Sequence, residues 1–345
     1  MKRTALISVL AAAIILVACS SDEGPVGISG MRYWDIAWSS PDTVLTDIEM
    51  LAPDSGYACG YRYNPTTDTY DGLIYRYDGT GWEVALFLPG AWGVKFAALD
   101  FAGAKNGWAL GSRMAEIGMV PAVLHFDGET WSEVPTEGLN GGVMTLLAAP
   151  TETDVWVSDG ITAFRFDGFG WNAFALSQGG AVDSWVFPNA EVAFAVDHDS
   201  GYCYKWDGTL GFWELEPYPL YNVTTYCFQA DGSGLYADYV YIPPVTERTN
   251  IYQRLPGPIP MYKRIYASGI RRLATACDHG EADYYFLAGP NAAFEVAGED
   301  VRPLGHVPSS DLGFLRALSL AGQGDAWGVM GKSLETGPSF IVHKK

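Results

Sequence analysis

Short runs of alternating apolar and polar residues recur along the chain and are separated by turns rich in Asp and Gly. The run from Leu73 to Tyr77, for example, is followed by Asp78-Gly79 and then by a second run that starts at Trp82. Alternation with a period of two is typical of a half-buried β-strand, and Asp-Gly favours a tight hairpin because Gly accepts a positive φ. The pattern therefore predicts a strand, a turn and a second strand.

The same ending occurs four times, each time as an Asp, a Gly directly after it and a Trp that opens the next run. The copies are about 40 to 50 residues apart, which is the period of a propeller blade with four short strands. We expect each Trp to lie on an outer strand and to cover the neighbouring sheet. The turn and Trp residues are Asp78, Gly79, Trp82, Asp127, Gly128, Trp131, Asp167, Gly168, Trp171, Asp207, Gly208 and Trp213.

A second pattern, an aromatic anchor in an apolar run just after a polar turn, occurs seven times at a mean spacing of about 45 residues. Seven such units fill residues 31–345, which predicts one all-β domain, a seven-bladed β-propeller of four-stranded blades. The last unit stops after its third strand, so we expect the run from Arg32 to Trp38 to pair with it as the outermost strand and close the ring. The anchors are Tyr57, Trp108, Trp156, Phe194, Tyr236, Tyr285 and Trp327.

The first 30 residues carry the pattern of an exported, lipid-anchored protein. A cationic start precedes an apolar run from Ala5 to Val17, which is too short to span a membrane and is typical of a signal peptide. Residues 16–19 resemble a bacterial lipobox, which implies acylation of Cys19 and membrane attachment through its acyl chains. We therefore expect a signal peptide (1–18), a flexible tether (19–30) and a place in the cell envelope, at the outer membrane or cell surface if the organism has two membranes.

Composition and charge narrow the choice of partner and of redox state. The formal net charge of -19 argues against nucleic acid, while 14% aromatic and 18% charged residues favour strands over surface helices. Besides Cys19 there are four cysteines, Cys59, Cys203, Cys227 and Cys277. Their number allows two disulfides in an oxidising compartment, and four buried thiols are the alternative.

The hairpin endings resemble the Asp-box, or bacterial neuraminidase repeat, whose full form is Ser-x-Asp-x-Gly-x-Thr-Trp. Here Gly directly follows Asp and the Trp comes one place earlier, as in the Tyr-Asp-Gly-x-x-Trp repeats of exported bacterial propellers. These repeats are distantly similar to those of sialidase-type and photosystem II assembly-factor propellers. The resemblance implies the fold and carries little information about activity.

Enzyme chemistry finds little support in the sequence. A sialidase needs three arginines around a carboxylate, a Tyr nucleophile with a Glu base and a general acid, but Arg32, Arg62 and Arg76 stand outside the expected Arg-Ile-Pro motif. Asp197 to Asp199 and Cys277 to Glu281 contain metal-ligand types, yet the repeat places both segments in turns. We expect no catalytic residue, no metal and no cofactor.

Binding is expected on the face of the ring that carries the longer connections, within residues 63–71, 239–250, 255–269 and 304–313. Flat aromatic rings suit a protein or a glycan, and a basic cluster in an acidic chain suits an acidic partner. The candidate binding residues are Trp92, Tyr218, Tyr221, Tyr241, Tyr262, Lys263, Arg264, Tyr266, Arg271 and Arg272.

These features favour a non-catalytic scaffold that holds another envelope or extracellular protein on its loop face. A carbohydrate-binding or glycan-cleaving, sialidase-like propeller is the first alternative, and a structural component of a surface layer is the second. A stoichiometric protein partner, saturable retention on glycans and self-association would distinguish the three hypotheses.

Overall fold

The ring consists of seven antiparallel sheets of four strands each in the part of the chain that the structure describes. The computed structural model describes residues 34–344 except 91–92, 117, 140–142, 177–180, 217–221, 243–245, 257–260, 268–275, 280–283, 290–291, 305–311 and 334–336. The innermost strands of successive sheets contact each other at most of the seams around the ring. The protein is therefore a seven-bladed β-propeller, as the repeat period predicted.

Blades 1 to 4 each use four consecutive strands, in order from the innermost to the outermost. Blade 1 contains β2 (Val44–Ala52), β3 (Ser55–Asn64), β4 (Thr69–Tyr77) and β5 (Trp82–Leu88), and blade 2 contains β6 (Lys95–Gly103), β7 (Asn106–Ala115), β8 (Gly118–Phe126) and β9 (Trp131–Val134). Blade 3 contains β10 (Leu146–Thr151), β11 (Asp154–Ser158), β12 (Thr162–Phe166) and β13 (Trp171–Ala175), and blade 4 contains β14 (Ser184–Val186), β15 (Val192–Asp197), β16 (Tyr202–Asp207) and β17 (Phe212–Leu215).

Blades 5 and 6 follow the same order, whereas blade 7 combines both ends of the chain. Blade 5 contains β18 (Val223–Phe228), β19 (Gly234–Ile242), β20 (Thr246–Leu255) and β21 (Met261–Ala267), and blade 6 contains β22 (Ala276–His279), β23 (Tyr284–Gly289), β24 (Ala292–Ala297) and β25 (Asp300–Pro303). Blade 7 contains β26 (Phe314–Gly322), β27 (Asp325–Gly331), β28 (Ser339–Lys344) and, as its outermost strand, β1 (Asp35–Ser40).

The N-terminal strand closes the ring as predicted. β1 pairs antiparallel with β28, so that Asp35 lies opposite His343 and Ser40 lies opposite Ser339. Just before β1, Trp34 is buried and its ring packs edge-on against Phe286 of blade 6, with centroids 6.0 Å apart. β1 thus covers the edge of β28, and Trp34 adds a side-chain contact across the seam to blade 6.

Aromatic side chains connect neighbouring blades. All seven predicted anchors lie on the second strand of their blade and are buried. Three of the predicted Trp residues, each the first or second residue of an outermost strand, reach the anchor of the preceding blade, which confirms the expected cover. The pairs are Trp82 with Trp327, Trp131 with Tyr57 and Trp213 with Trp156, with ring centroids 5.9, 6.3 and 6.1 Å apart.

The Asp-Gly turns of blades 1 to 3 have the predicted geometry. Gly79, Gly128 and Gly168 have φ values of +88°, +96° and +92°, a region that favours glycine. The carboxylates of Asp127 and Asp167 each accept two backbone N–H bonds from the turn, and these bonds lower the pKa of both residues. Each such turn is therefore fixed by its own Asp and Gly.

The turn of blade 4 differs from this prediction. Asp207 still accepts the backbone N–H groups of Thr209 and Leu210, but Gly208 does not adopt a positive φ. The longer turn shifts that role to Gly211, with a φ of +71°, whose N–H donates to the carbonyl of Asp207.

Buried carboxylates tie the innermost strands together across the seams. Asp47 of β2 accepts the N–H of Ile48 on its own strand and, at 2.9 Å, the N–H of Leu99 on β6. Asp100 of β6 repeats the arrangement and accepts the N–H of Ala149 on β10 at 2.7 Å. Burial is the main cause that raises the pKa of Asp47 to about 7.

Cys59, Cys203 and Cys227 are buried thiols, so the buried-thiol alternative holds for these three residues and the hypothesis of two disulfides does not. Burial raises the pKa of Cys59 and Cys203 above the ordinary value of a thiol. The side chain of Cys277 lies outside the described residues.

The strand order gives the ring two distinct faces. The hairpin face carries the turns between first and second strands and between third and fourth strands, including the Asp-Gly turns. The connection face carries the turns between second and third strands and the links between blades. No helix among the described residues is long and apolar enough to cross a membrane.

Two predicted loops are largely strand. Residues 63–71 form the end of the hairpin of β3 and β4, with a turn at 65–68, and residues 239–250 belong mostly to the long hairpin of β19 and β20. Both hairpins are longer than the mean repeat requires. The added residues pair with each other across the hairpin and leave the rest of the blade unchanged.

Candidate functional site

Four predicted binding residues lie on a strand and not on a loop. Tyr262, Lys263, Arg264 and Tyr266 belong to β21, the outermost strand of blade 5. The loop prediction was wrong because Pro and Gly at 256–258 replace the Asp-Gly signal, so no turn motif indicated a hairpin between β20 and β21.

The two tyrosines of β21 contribute to packing. The ring of Tyr262 lies 5.2 Å from that of the blade 5 anchor Tyr236, and burial raises the pKa of Tyr262 to about 12. Tyr266 packs edge-on against a phenylalanine of blade 6. Lys263 forms an exposed ion pair with Glu299, with 2.6 Å between the nitrogen and the oxygen. The basic cluster predicted from the sequence therefore does not form one surface with aromatic side chains in the described part of blade 5.

The side chains of the remaining candidates lie outside the described part of the chain. Tyr241 lies on β19 by its backbone. The candidates outside the described residues are Trp92, Tyr218, Tyr221, Arg271 and Arg272, together with the predicted lipidation site Cys19.

An aromatic surface occurs instead on the connection face of blade 1; we call Tyr61, Tyr63, Tyr70 and Lys95 the blade 1 patch. Tyr63 and Tyr70 are directly paired across β3 and β4, and their ring centroids are 5.5 Å apart. Tyr61 packs edge-on against Tyr70 at 5.3 Å and is buried, whereas Tyr63 is 38% exposed. A Cβ at Gly93 would lie 1.4 Å from the carbonyl oxygen of Tyr70, so only glycine lets the link to blade 2 run this close.

Lys95 brings a positive charge to this surface from the neighbouring blade. It begins β6, and its Nζ lies 5.0 Å from the ring centroid of Tyr61 and 5.3 Å from that of Tyr70. Cation–π contacts of this kind contribute about 0.5–2 kcal/mol. Among the described residues no carboxylate lies within 4.0 Å of the ammonium. Among the described residues, the contacts of the ammonium are therefore with these two rings and not with a carboxylate.

A fixed ion pair borders the patch. Arg62 donates through Nη2 to Asp71 Oδ2 at 2.8 Å and lies 3.6 Å from a carboxylate oxygen of Asp42. The second oxygen of Asp71 accepts the N–H of Gly90 at 2.8 Å. These bonds hold the end of the β3–β4 hairpin against the link to blade 2.

A second cation, Arg316, lies near Tyr61 at the seam between blades 7 and 1. Its guanidinium donates to the carbonyl groups of Leu45 and Ser333 and to the hydroxyl of Ser339 at 3.2 Å. Burial lowers the pKa of Arg316, and the nearby Tyr61 opposes that shift. Arg316 therefore secures the ring closure and adds positive potential beside the blade 1 patch.

His198 and Asp183 meet on the connection face of blade 4, where His198 Nδ1 contacts Asp183 Oδ1. The predicted turn at 197–199 is confirmed, because Asp197 accepts the backbone N–H groups of Asp199 and Ser200. In the described part of the chain, no group of three or more His, Cys, Asp or Glu side chains is arranged to hold a metal ion.

The other segment with metal-ligand types was assigned wrongly. Residues 276–279 form β22, the innermost strand of blade 6, in which Cys277 lies opposite Leu287. Polar residues follow β22, and because of them the sequence pattern placed the start of the turn before the strand actually ends. Residues 280–281 lie outside the described residues.

Comparison with known proteins gives the fold and leaves activity open. The sequence matches no protein-family model and no curated protein. YCF48 from Cyanidioschyzon merolae is 13% identical with a TM-score of 0.63, over 90% of this chain and 98% of that one. A structure of YCF48 bound to D1 peptide is 16% identical with a TM-score of 0.63, over 90% and 96% of the two chains.

An enzyme shares the same fold. The GH74 xyloglucanase from Xanthomonas campestris is 13% identical with a TM-score of 0.59, over 88% of this chain and 54% of the xyloglucanase chain. At such identities the likeness establishes the β-propeller alone, because peptide binding and glycoside hydrolysis both occur on it.

The sequence offered no clear signal for the blade 1 patch. Lys95 stands 25 residues or more from both rings that it contacts, and the contact depends on the packing of blade 2 against blade 1. The local signal in the sequence was limited to three tyrosines near the turn at 65–68. Tyr61 and Tyr63 are two positions apart on β3, and Tyr70 pairs with Tyr63 across the hairpin.

Proposed function

We propose that the protein is a non-catalytic binding module that holds an acidic segment of another protein on its connection face, at the blade 1 patch. The observation that carries the proposal is Lys95, an ammonium held over two tyrosine rings with no carboxylate partner among the described residues. An acidic side chain or a terminal carboxylate would find there a charge to pair with and flat rings for its neighbouring residues.

The contrast between the negative net charge of the chain and the positive charge of Lys95 supports an acidic ligand. The chain has a formal net charge of -19, so it repels acidic partners over most of its surface, and a local cation at one site would orient such a partner there. The peptide-bound YCF48 structure provides an example of a propeller of this size with a peptide ligand.

We also propose that the mature protein is acylated at Cys19 and anchored in the cell envelope. The support is the lipobox-like sequence at residues 16–19, after an apolar run that Lys2 and Arg3 precede. We further assign the repeats to an Asp-box-like type on the basis of the Asp-Gly turns and the Trp residues that follow them.

A photo-cross-linking experiment in the native host tests the binding site. Benzoylphenylalanine replaces Tyr63 on the connection face or, as a control, Thr80 on the hairpin face. We expect position 63 to cross-link to one envelope or extracellular protein through an acidic segment, which mass spectrometry would identify. Position 80 should not give that product.

Matched charge variants then test the role of the cation. Lys95→Met removes the charge and keeps a long apolar side chain, whereas Lys105→Met removes an exposed charge from the hairpin face. We expect Lys95→Met to abolish the cross-link from position 63 and Lys105→Met to leave it unchanged. A cross-link that survives Lys95→Met would rule out this mode of binding.

A glycan is the second candidate, because the half-exposed ring of Tyr63 lies next to the carboxylate of Asp68, to which its hydroxyl donates at 2.8 Å. Stacking on an aromatic face and hydrogen bonding to a carboxylate are typical of sugar recognition. Saturable retention of neutral glycans that is insensitive to Lys95→Met would favour this candidate.

A further inference from the structure

Three neighbouring blades expose apolar side chains at the same place on the hairpin face. Phe169 in the β12–β13 turn is 98% exposed, and Leu210 in the β16–β17 turn is 63% exposed. Met261, the first residue of β21, is 61% exposed. We call these three residues the apolar arc, because they belong to blades 3, 4 and 5, which are consecutive around the ring.

The corresponding positions in other blades are polar. Thr80 occupies the tip in blade 1, Glu129 occupies it in blade 2, and Glu299 occupies it in blade 6. Phe169 and Glu129 are directly equivalent, since each follows an Asp-Gly pair whose backbone geometry is the same. The folding of the hairpin therefore does not require an apolar tip, so these three side chains are available to contact another surface.

Trp34, which precedes β1, lies at the same face of the ring. β28 is a third strand and ends on the hairpin face, and β1 is antiparallel to it, so Trp34 lies on the hairpin face of blade 7. In a ring of seven, blade 7 is opposite blades 3 and 4. About 15 residues separate Cys19 from Trp34, and a chain of that length spans at most about 50 Å.

We propose that the hairpin face lies on a lipid membrane, with the apolar arc inserted on one side and the N-terminal tether attached on the other. This inference rests on the proposed acylation of Cys19. An anchor at one edge of the ring raises the effective concentration of the opposite edge at the same membrane, so a few apolar tips suffice for insertion. The connection face, with the blade 1 patch, then points away from the membrane.

Exposed carboxylates beside the arc indicate which lipid it favours. Asp127 and Asp167 lie in exposed turns beside the arc, and their pKa is lowered by backbone N–H bonds, so both remain ionised. In the proposed orientation these carboxylates lie at the level of the lipid headgroups, where anionic headgroups repel them. Contact is therefore expected with zwitterionic lipid and should weaken as anionic lipid is added.

Environment-sensitive labels at two equivalent tips test the orientation. Phe169→Cys and Glu129→Cys variants of the mature, acylated protein, each in a Cys277→Ser background, are labelled with the fluorophore NBD; the buried Cys59, Cys203 and Cys227 should not react. On phosphatidylcholine vesicles we expect a several-fold rise and a blue shift of the emission at position 169. A spin label in the acyl region should quench that emission and leave position 129 unaffected.

The outcomes separate this proposal from the anchor on which it rests. Flotation with vesicles reports the anchor, and its loss in acylated protein would reject anchoring itself. Flotation without any lipid quenching at position 169 would overturn the orientation and leave the anchor intact. A blue shift at 169 that depends on protein concentration and not on vesicles would also overturn it, because the arc would then be covered by a second copy of the chain.

Discussion

Asp47 is a titratable residue whose side chain also joins blades 1 and 2 by a hydrogen bond. Its two carboxylate oxygens accept N–H groups from Ile48 and from Leu99 across the seam. Burial disfavours the charged form more strongly than these bonds favour it, so folding raises the pKa from 3.8 to about 7. The folded protein therefore binds this proton more tightly than the unfolded chain does.

We predict that Asp47 makes the free energy of unfolding decrease as the pH rises from about 4 to about 7. The direction follows because the native state holds more protons than the unfolded state within this interval. The Asp47→Asn variant should show a flatter dependence in denaturant unfolding measured between pH 5 and pH 8. Asp127→Asn is the control, since its lowered pKa places its titration below this range. An unchanged slope in Asp47→Asn would contradict the prediction.

Individual residues also show which contacts can be predicted from the sequence and which cannot. The seven anchors could be found because each recurs in its own unit after a polar turn, and all of them are buried. Lys95 has no such repeat, and its site exists only because Tyr61 and Tyr70 are brought to it by a neighbouring blade. Local periodicity reports which face of a strand is buried, but it does not report which side chains meet across a seam.

At the scale of the element, prediction succeeded where a turn carries its own chemistry. The hairpins of blades 1 to 3 have an Asp that accepts backbone N–H groups and a Gly at positive φ, and their strands begin and end as that signal implies. β21 was missed because its turn has Pro and Gly residues in place of that pair, although its alternating pattern from Met261 to Tyr266 is that of an outer strand.

The glycine requirement of these turns can be tested in blade 3. Gly168 has a φ of +92° and no atom within 4 Å of a Cβ built there, so Gly168→Ala introduces backbone strain without a steric clash. We expect a loss of about 1–2 kcal/mol in the free energy of unfolding, measured by denaturant titration. Gly170→Ala in the same turn is the matched control, because Gly170 has equal space and no positive φ. Equal effects of the two variants would show that the turn does not depend on glycine at 168.

At the scale of the whole molecule, a ring of blades is stable only if its first and last blades are joined. Blade 7 achieves this by pairing β1 with β28, and the contact of Trp34 with Phe286 extends the joint to blade 6. Lys344 strengthens the same region, since its ammonium donates to Glu295 of blade 6 at 2.9 Å. Residues from both ends of the chain are thus required for one seam.

We predict that loss of the Trp34 side chain weakens the whole ring and not only its N-terminal strand. Trp34→Ala removes a buried ring from the seam between blades 7 and 6, which should lower the free energy of unfolding by about 3–5 kcal/mol. Because β1 is the outer strand of blade 7, its release would expose the edge of β28 and promote association between molecules.

Denaturant unfolding together with size-exclusion chromatography checks both consequences. Ile36→Ala is the matched control, since Ile36 lies on the same strand with 50% of its side chain exposed, and it should change stability by less than about 0.5 kcal/mol. If Trp34→Ala were as mild as Ile36→Ala and remained monomeric, backbone pairing of β1 with β28 would be sufficient for closure. Cooperative, early unfolding in Trp34→Ala alone would show that the ring is sealed by a side chain that reaches the next blade, the same device that the other outer-strand tryptophans use at their seams.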